Sequence, residues 1–492
     1  MILYVFNHKY HYELENLCRV FFPQEKIQIN RAGGASLFRR GRLAKPLVAI
    51  TRRAEDTLRV CLYTGARRLR LSRRCGENDE LTLARMLFVL LRRETGCRPP
   101  WGLLTGVRPS KLMLRLRRDK GEAEAERYFC GALWVSREKT RLAAAVARAE
   151  EPILALTGPR TFSLYLAVPF CPSRCAYCSF VSHTVERASA RKLIPAYVEK
   201  LCEEMARTGE IAAALGLELA SVYIGGGTPT ILSAQQMRQI CEALRRSFAA
   251  PGEFTVEAGR PDTITAEKLC ALKEHGVTRL SVNPQSMNDE VLAAAGRRHT
   301  AQEVLEAYAL ARGFGFGAIN MDLIAGLPGD TPEGFCASLR RIIALRPENI
   351  TVHTLALKRS AQWGGAGLTD AGVARMLRAA AELLPAAGYA PYYMYRQSRS
   401  LGNLENIGWS LPGHACRYNV DMMEESHTIL ACGAGGVTKL KQYGTDYLER
   451  VFSLKYPYEY LARFEELLRR KESMKAFYQT YNSGSEAASD HP

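Results

Sequence analysis

From Ser163 onward the chain alternates short β-rich runs with helix-length amphipathic segments, and this alternation restricts the fold more than any other feature. Strands are expected at Leu164 to Val168, Ser221 to Ile224, Phe254 to Glu257, Arg279 to Val282, Ala318 to Ile324 and Ile350 to Leu355. Helices are expected between them, such as Ile194 to Ala213 and Glu333 to Leu345. Strands separated by helical crossovers return parallel, with right-handed connections. Six such units are two short of a closed eight-unit barrel, so the expected fold is α/β: an open, partial (β/α)6 barrel.

Both flanks lack the alternation. Residues 1–155 mix strands and helices, with a hairpin at Leu58 to Tyr63 and Arg68 to Ser72 around Thr64-Gly65-Ala66, and helices at Leu81 to Leu91 and Arg141 to Leu156. Pro99 to Lys111, with Trp101 and Arg108, reads as a loop. Beyond Gly388 the pattern is irregular until a charged helix at Glu459 to Lys475. The residues from Asn482 are small and polar, which predicts disorder. Four segments are therefore expected: an α+β domain at 1–155, the barrel at 156–387, an irregular and helical extension at 388–478, and a tail at 479–492.

Charge separates the first segment from the rest. Of 492 residues, the first 150 hold 31 basic and 15 acidic side chains, whereas the remainder is close to neutral. That distribution excludes a uniformly basic nucleic-acid coat. The start, Met1-Ile-Leu-Tyr-Val-Phe-Asn7, has no signal-peptide layout, and no apolar run reaches the roughly 20 residues of a membrane helix, so a cytoplasmic location is expected.

Most of the fourteen cysteines stand singly on apolar stretches, where a reduced thiol packs as a small hydrophobe. Cys171, Cys175 and Cys178 are clustered just after the first barrel strand. A Cys3His zinc loop with His183 is one reading. The other is an iron-sulfur cube on three thiolates, with one iron open to a further ligand. The following strands run into Gly225-Gly226-Gly227-Thr228-Pro229-Thr230, Glu257, Gln285 and Asp322. Singly, these are ordinary turn or cap residues. Together they converge where barrel enzymes keep their sites, at the C-terminal strand ends.

The Cys-x3-Cys-x2-Cys spacing with Tyr177 before the third thiol resembles the radical S-adenosylmethionine superfamily. Tyr165 through Phe180, the Gly-Gly-Gly-Thr-Pro-Thr turn, Glu257, Gln285 with Arg297, and Asn320-Met-Asp322-Leu-Ile-Ala-Gly326-Leu-Pro328 resemble the oxygen-independent coproporphyrinogen III oxidase family. Phe254 to Asp262, Pro100 to Pro109 and Tyr393 to Gln397 are most similar to its HemZ-type branch. The resemblance implies a 4Fe-4S cluster on Cys171, Cys175 and Cys178, and a first S-adenosylmethionine against Tyr165, Gly226 and Glu257. It also implies a second S-adenosylmethionine against Gly227, Thr228, Gln285, Arg297 and Asp322. The implied activity is that of an oxidoreductase in heme biosynthesis: oxidative decarboxylation of coproporphyrinogen III to protoporphyrinogen IX by a 5'-deoxyadenosyl radical. Implied partners are an anionic tetrapyrrole substrate and a reduced flavodoxin-like or ferredoxin-like electron donor.

Two positions depart from the oxidase pattern: Ala167 stands where it has a His, and Phe180 where it has a fourth Cys. Related heme chaperones carry an HNxxYW motif, and the corresponding stretch here, Arg417 to Met423, has no His or Trp. A radical RNA-modifying enzyme is a third reading, with nucleic acid disfavoured because no RNA-module signature is recognised. Cys416 and Cys432 read as packing, and Gly433 to Gly436 as a turn. His299 and His353 read as proton shuttles or hydrogen-bonded structural residues. The Arg-rich first segment suits carboxylate pairing, with Arg108 the first candidate contact for the tetracarboxylate substrate.

Overall fold

The computed structural model describes residues 1–23, 25–31, 47–65, 67–178, 180, 183–356, 369–397 and 399–481. The chain divides into two compact units, Met1–Ala144 with Arg396–Arg399, and Ala145–Tyr395 with Ser400–Pro492.

In the first unit the elements run β1 (Ile2–Phe6), α1 (His11–Phe21), β2 (Gln28–Arg31), β3 (Val48–Ala54), β4 (Thr57–Thr64), β5 (Arg67–Arg74), α2 (Asp79–Thr95), α3 (Pro109–Lys120), α4 (Glu122–Arg127) and the start of α5 (Arg137–Leu154). The sheet order is β2-β1-β3-β4-β5. β1 lies parallel to both neighbours, and β3, β4 and β5 are antiparallel. Alternation in β4 sends Leu58, Val60 and Leu62 inward, where they pack with Leu14 and Leu17 of α1 and Leu83, Leu87 and Leu91 of α2. α2 starts where the Asn78 side chain accepts from Leu81 N, and it ends at the left-handed Gly96. The Trp101 to Arg108 loop closes around Arg396, whose guanidinium donates to Leu104 O (2.5 Å) and lies over the Trp101 ring (5.6 Å).

The second unit continues α5 and then runs β6 (Thr161–Val168), β7 (Phe170–Cys171), β8 (His183–Thr184), α6 (Ala188–Ala214), β9 (Glu218–Gly226), α7 (Ala234–Ser247), β10 (Glu253–Gly259), α8 (Ala266–Glu274) and β11 (Arg279–Val282). There follow α9 (Asp289–Ala294), α10 (Ala301–Gly313), β12 (Ala318–Ala325), α11 (Pro332–Leu345), β13 (Asn349–Thr354), α12 (Asp370–Ala386), β14 (Ala390–Arg396), β15 (Glu405–Ser410) and α13 (Arg417–Glu424). The chain ends with β16 (Thr428–Cys432), β17 (Val437–Lys441), β18 (Leu448–Phe452), α14 (Pro457–Ala462), α15 (Phe464–Lys471) and α16 (Ser473–Tyr481). The sheet order is β14-β15-β13-β12-β11-β10-β9-β6-β16-β17-β18. Each of the six expected strands is present within a few residues of its expected bounds, and neighbours from β6 to β13 pair in parallel.

The C-terminal part differs from the expectation. The segment after residue 388 ends in helices as expected but first supplies β14 to β18, and apart from Arg396–Arg399 it clusters with the barrel in one compact unit. β16 adds a seventh parallel strand beside β6, pairing Thr428 with Phe162 and Cys432 with Leu166. β14 follows α12 and β16 follows α13, but β15, β17 and β18 come with no α-helix before them, so regular β/α periodicity does not mark this region. The helix expected at Glu459 to Lys475 is three helices, because Arg463 leaves helical dihedrals (φ −121°, ψ 34°) and a second break follows Lys471. α5 runs through residues 145–154, so the first unit ends before the expected boundary at residue 155. α16 extends to Tyr481, past the expected tail start at 479; the tail from Asn482 lies outside the described residues.

The C-terminal helices are pinned by a buried ion pair. Lys471 Nζ lies 2.9 Å from Glu204 Oε1 on α6, while Glu204 Oε2 accepts from Gly433 N and Tyr460 Oη, both at 2.7 Å. Such a pair survives burial only when its remaining polar atoms are also bonded.

Candidate active site

Parallel pairing brings the C-terminal ends of β6, β9, β10, β11, β12 and β13 to one edge, and the chemistry-bearing residues gather there. The cysteine loop is joined to the glycine turn after β9 by backbone bonds: Gly227 N donates to Val168 O and Thr228 N to Phe170 O, each at 2.8 Å. Only glycine fits at 227, because a Cβ would lie 2.4 Å from Phe170 O. On the other side of the loop, Ala176 N donates to Ala295 O at 3.0 Å. The loop is thereby held both from the turn after β9 and from the end of α9.

Around the thiols the field is positive. Arg260 Nη1 lies 3.8 Å from Cys175 Sγ and 3.2 Å from Ser173 Oγ, and Arg297 Nη1 lies 3.9 Å from the same sulfur. Arg297 also donates to Tyr177 Oη (3.1 Å) and Asn283 O (2.7 Å). Burial opposes its charge, but Tyr177 and Cys175 beside it hold the proton on. Thr228 Oγ1 approaches Cys171 Sγ at 3.6 Å. Burial pushes the Cys178 thiol up to about 11, so thiolate there needs a cation to hold it. The Cys3His zinc arrangement is not formed: among the described residues, no three His, Cys, Asp or Glu side chains are placed to hold one metal ion. Three thiols outside any disulfide, with two guanidiniums beside Cys175, fit a cluster of anionic sulfide, where each thiolate would meet its own iron.

Deeper in the mouth stands a stack of tyrosines. Tyr165 and Tyr223 are register partners on β6 and β9. The Tyr418 ring lies 4.5 Å from that of Tyr223 and 6.3 Å from that of Tyr165. Tyr418 is placed by Glu253, whose carboxylate accepts from Arg417 N and Tyr418 N, both at 3.0 Å, and so caps α13. Tyr223 Oη donates to Glu257 Oε1 at 2.6 Å. Burial raises the Glu257 carboxyl to about 7 against the pull of that hydrogen bond, and the Asp322 charge adds to the rise. Gly226 lies beside Tyr165 at φ 108°, a conformation that L side chains rarely adopt, with a Cβ there only 3.3 Å from Val168 N.

A third group lies on β11 to β13. Asn320 Nδ2 donates to Asp322 Oδ1 (2.7 Å) and to Ser281 Oγ (2.9 Å), and Thr351 Oγ1 donates to Asn320 Oδ1 (3.0 Å). His353 Nε2 stands 3.6 Å from Asp322 Oδ2. Burial by itself would raise the Asp322 carboxyl, but His353 and Asn320 outweigh it and hold Asp322 low. His353 is raised in turn: burial opposes its charge and Asp322 prevails. Gln285 sits at φ 69°, fixed by Gln285 N to Asp322 O (2.9 Å) and Ile324 N to Gln285 O (3.0 Å). Its side-chain oxygen is buried without a partner among the described residues. Such an atom is costly unless a ligand donor meets it.

The eleven expected site residues thus fall into three neighbouring groups. Arg297 and Thr228 stand beside the cysteines, Gly226 and Glu257 beside Tyr165, and Gln285 beside Asp322. The sequence reading missed Arg260, Tyr223 and Tyr418. Of these, Tyr223 was within reach, because its position on β9 matches that of Tyr165 on β6. His299 is buried and held neutral, down to about 3, by burial and by Arg297 and Arg260, which disqualifies it as a proton shuttle near neutrality. Cys416 donates to Glu253 Oε1 (3.3 Å) and Cys432 is buried beside Thr208, so both pack as read. Gly433 turns against Ala167 O, where a Cβ would come within 2.5 Å. Ser173, Arg174 and Arg297 also line a cleft of about 1210 Å³ beside the cysteine loop, completed by Arg187, Arg298 and Lys455.

Residues 165–342 match the Radical SAM superfamily. The oxygen-independent coproporphyrinogen-III oxidase-like protein HemZ of Bacillus subtilis is 37% identical over 408 residues, covering 79% of this chain and 80% of that protein. The heme chaperone HemW of Escherichia coli is 31% identical over 280 residues, covering 56% and 69% respectively. Among solved structures, coproporphyrinogen III oxidase (HemN) from Escherichia coli shares the fold, with a TM-score of 0.52 at 22% identity over 68% of this chain and 82% of that one. Among the described residues no helix is long and apolar enough to cross a membrane.

Proposed function

Because the chain belongs to the radical SAM family of oxygen-independent coproporphyrinogen-III oxidase-like proteins, we propose that it carries out the oxidative decarboxylation of coproporphyrinogen III without oxygen. The family implies a 4Fe-4S cluster and S-adenosylmethionine, which together supply a 5'-deoxyadenosyl radical when bound. In this reading Cys171, Cys175 and Cys178 hold the cluster, and Arg260 and Arg297 offset its negative charge. Tyr165, Gly226 and Glu257 form the first cofactor's seat. Glu257, poised near 7, accepts from an ammonium or a ribose hydroxyl once ionised. Gln285, with its unmet oxygen, and Asp322 form a further donor-and-acceptor pair, the candidate seat of a second S-adenosylmethionine, with Gly227, Thr228 and Arg297 bordering it. The raised His353 offers a cation to a substrate carboxylate. The tyrosine stack walls the mouth with rings and excludes water from it. A flavodoxin-like or ferredoxin-like donor would approach the basic cleft beside the cysteine loop, which the buried Arg297 links to Cys175.

The observation that carries the reading is the joining of the three-cysteine loop, the glycine turn and Glu257 at one strand edge. Anaerobic reconstitution with iron and sulfide, then incubation with dithionite, S-adenosylmethionine and coproporphyrinogen III, is expected to yield 5'-deoxyadenosine and vinyl product, both abolished in Cys175→Ala. Deoxyadenosine without vinyl product, accompanied by stoichiometric heme uptake, would replace the oxidase reading by that of a heme-delivery protein.

A further inference from the structure

The sheet of the first unit has two unlike faces. Leu3, Val5, Leu58, Val60 and Leu62 point to the buried side. The register puts Tyr4 and Phe6 of β1, Arg52 of β3, Arg59 and Tyr63 of β4, and Arg68, Arg70 and Arg74 of β5 on the other. All five arginines are exposed, and none has a carboxylate partner among the described residues. No Asp or Glu occupies any strand position on this face. Arg52 lies directly opposite Arg59 in the antiparallel pair, and Arg70 sits two positions from both Arg68 and its strand-mate Ser72. Like charges placed opposite one another destabilise a sheet, so folding alone gives no reason to gather them.

Rings are interleaved with the charges. Tyr4 and Phe6 lie near-parallel with centroids 6.3 Å apart, and the Arg68 guanidinium lies 5.3 Å over the Tyr63 ring. All three rings are half-buried and stand outside the core cluster of the described residues. A small tetracarboxylate has charges for four of the five guanidiniums but no run of flat bases for Tyr4 and Phe6 on β1, one strand beyond them. A membrane surface would also meet charges and rings, since Tyr settles at lipid headgroups; the vesicle arm of the test separates it from nucleic acid. A flexible polyanion with a charge on every unit and a flat base to stack satisfies both.

We propose that this face binds single-stranded nucleic acid, with Arg52, Arg59, Arg70 and Arg74 on phosphates and Tyr4, Phe6 and Tyr63 under bases. It departs from the sequence expectation, which found no RNA-module signature; the signature here is a cross-strand arrangement that no contiguous motif records. The site is in the first unit and does not depend on the radical chemistry of the second.

The test uses the full chain and a fluorescein-labelled, unstructured RNA of about 15 nucleotides, the span a single-strand site of this kind covers. Anisotropy should report binding that weakens with salt. In R59Q/R70Q/R74Q the slope of log affinity against log salt should fall by about 2, at roughly 0.7 per phosphate contact. Tyr63→Leu should weaken binding about tenfold with the slope unchanged, as expected for a lost stack. Single-stranded DNA of the same length should bind comparably, and duplex more weakly. Thermal melting should be no lower in any variant, and higher where R59Q relieves the repulsion with Arg52, while dithionite-driven deoxyadenosine formation should be unchanged. Absence of RNA binding at low salt, an unchanged slope in the triple variant, or binding only to phosphatidylserine vesicles would each overturn the proposal.

Discussion

Glu257→Gln isolates the strain built into the candidate cofactor seat. Moving a carboxyl from its ordinary 4.5 to about 7 means the fold holds the proton more tightly than the unfolded chain does. The sign follows from linkage: this preference is fully favourable below pH 4.5, and stability is lost as pH rises from there through 7. The full difference corresponds to about 3 kcal/mol, and the water that reaches a half-buried group reduces it to about 2. For a unit of about 340 residues, that is a melting shift of about 3 °C. Gln keeps an oxygen to accept from Tyr223 and never ionises. The apo variant should therefore melt about 3 °C above the wild type near pH 8 and level with it near pH 5. Calorimetric titration should show the opposite for ligand: the wild type should take up S-adenosylmethionine more tightly as pH rises through about 7, and the variant should bind weakly at every pH. A gap in melting temperature that is the same at both pH values would refute the assignment of the raised carboxyl to Glu257.

Other expectations follow from single contacts. Gly227→Ala forces a Cβ against the Phe170 carbonyl, so it should lose about 1 to 3 kcal/mol and load less iron on reconstitution, read by melting and iron content. His353→Asn removes a pair whose stabilisation is complete between the ordinary carboxylate and imidazole ranges. It is lost as pH falls through the lowered Asp322 value or rises through the raised His353 value, so the variant's melting curve should be flatter in pH on both sides. Lys471→Met leaves Glu204 buried without its cation and should destabilise by about 3 to 5 kcal/mol; recovery in Lys471→Met with Glu204→Gln would attribute the loss to the stranded charge. Glu253→Ala uncaps α13 and should release Tyr418 from the ring stack, seen as a change in near-ultraviolet circular dichroism with about 1 kcal/mol of stability lost.

The barrel strands were legible because each is a local pattern. Leu280 and Val282 announce β11 from four residues, and the Cys171-Cys175-Cys178 spacing announces a ligand loop without any neighbour. The residues that shape the mouth were not. Tyr418 reads as one residue in an irregular stretch; only the Glu253 carboxylate, 165 residues earlier, turns it onto Tyr223. Arg260 reads as a loop cation until the β10 end is set against the cysteine loop. β14 to β18 went unseen because they do not alternate regularly with helices, and such strands are specified by the partner they pair with.

Hydrophobic period and residue spacing, which act over a few residues, determined the alternating architecture, the three-thiol loop and the charge gathered in the first 150 positions. Tertiary structure decided which side chains share a face or a cavity. It set Glu257 under Tyr223, His353 beside Asp322, and Arg52 opposite Arg59. The physical reason is register: strand pairing across long separations fixes which residues meet, and a slip of one residue would send each of these side chains to the opposite face.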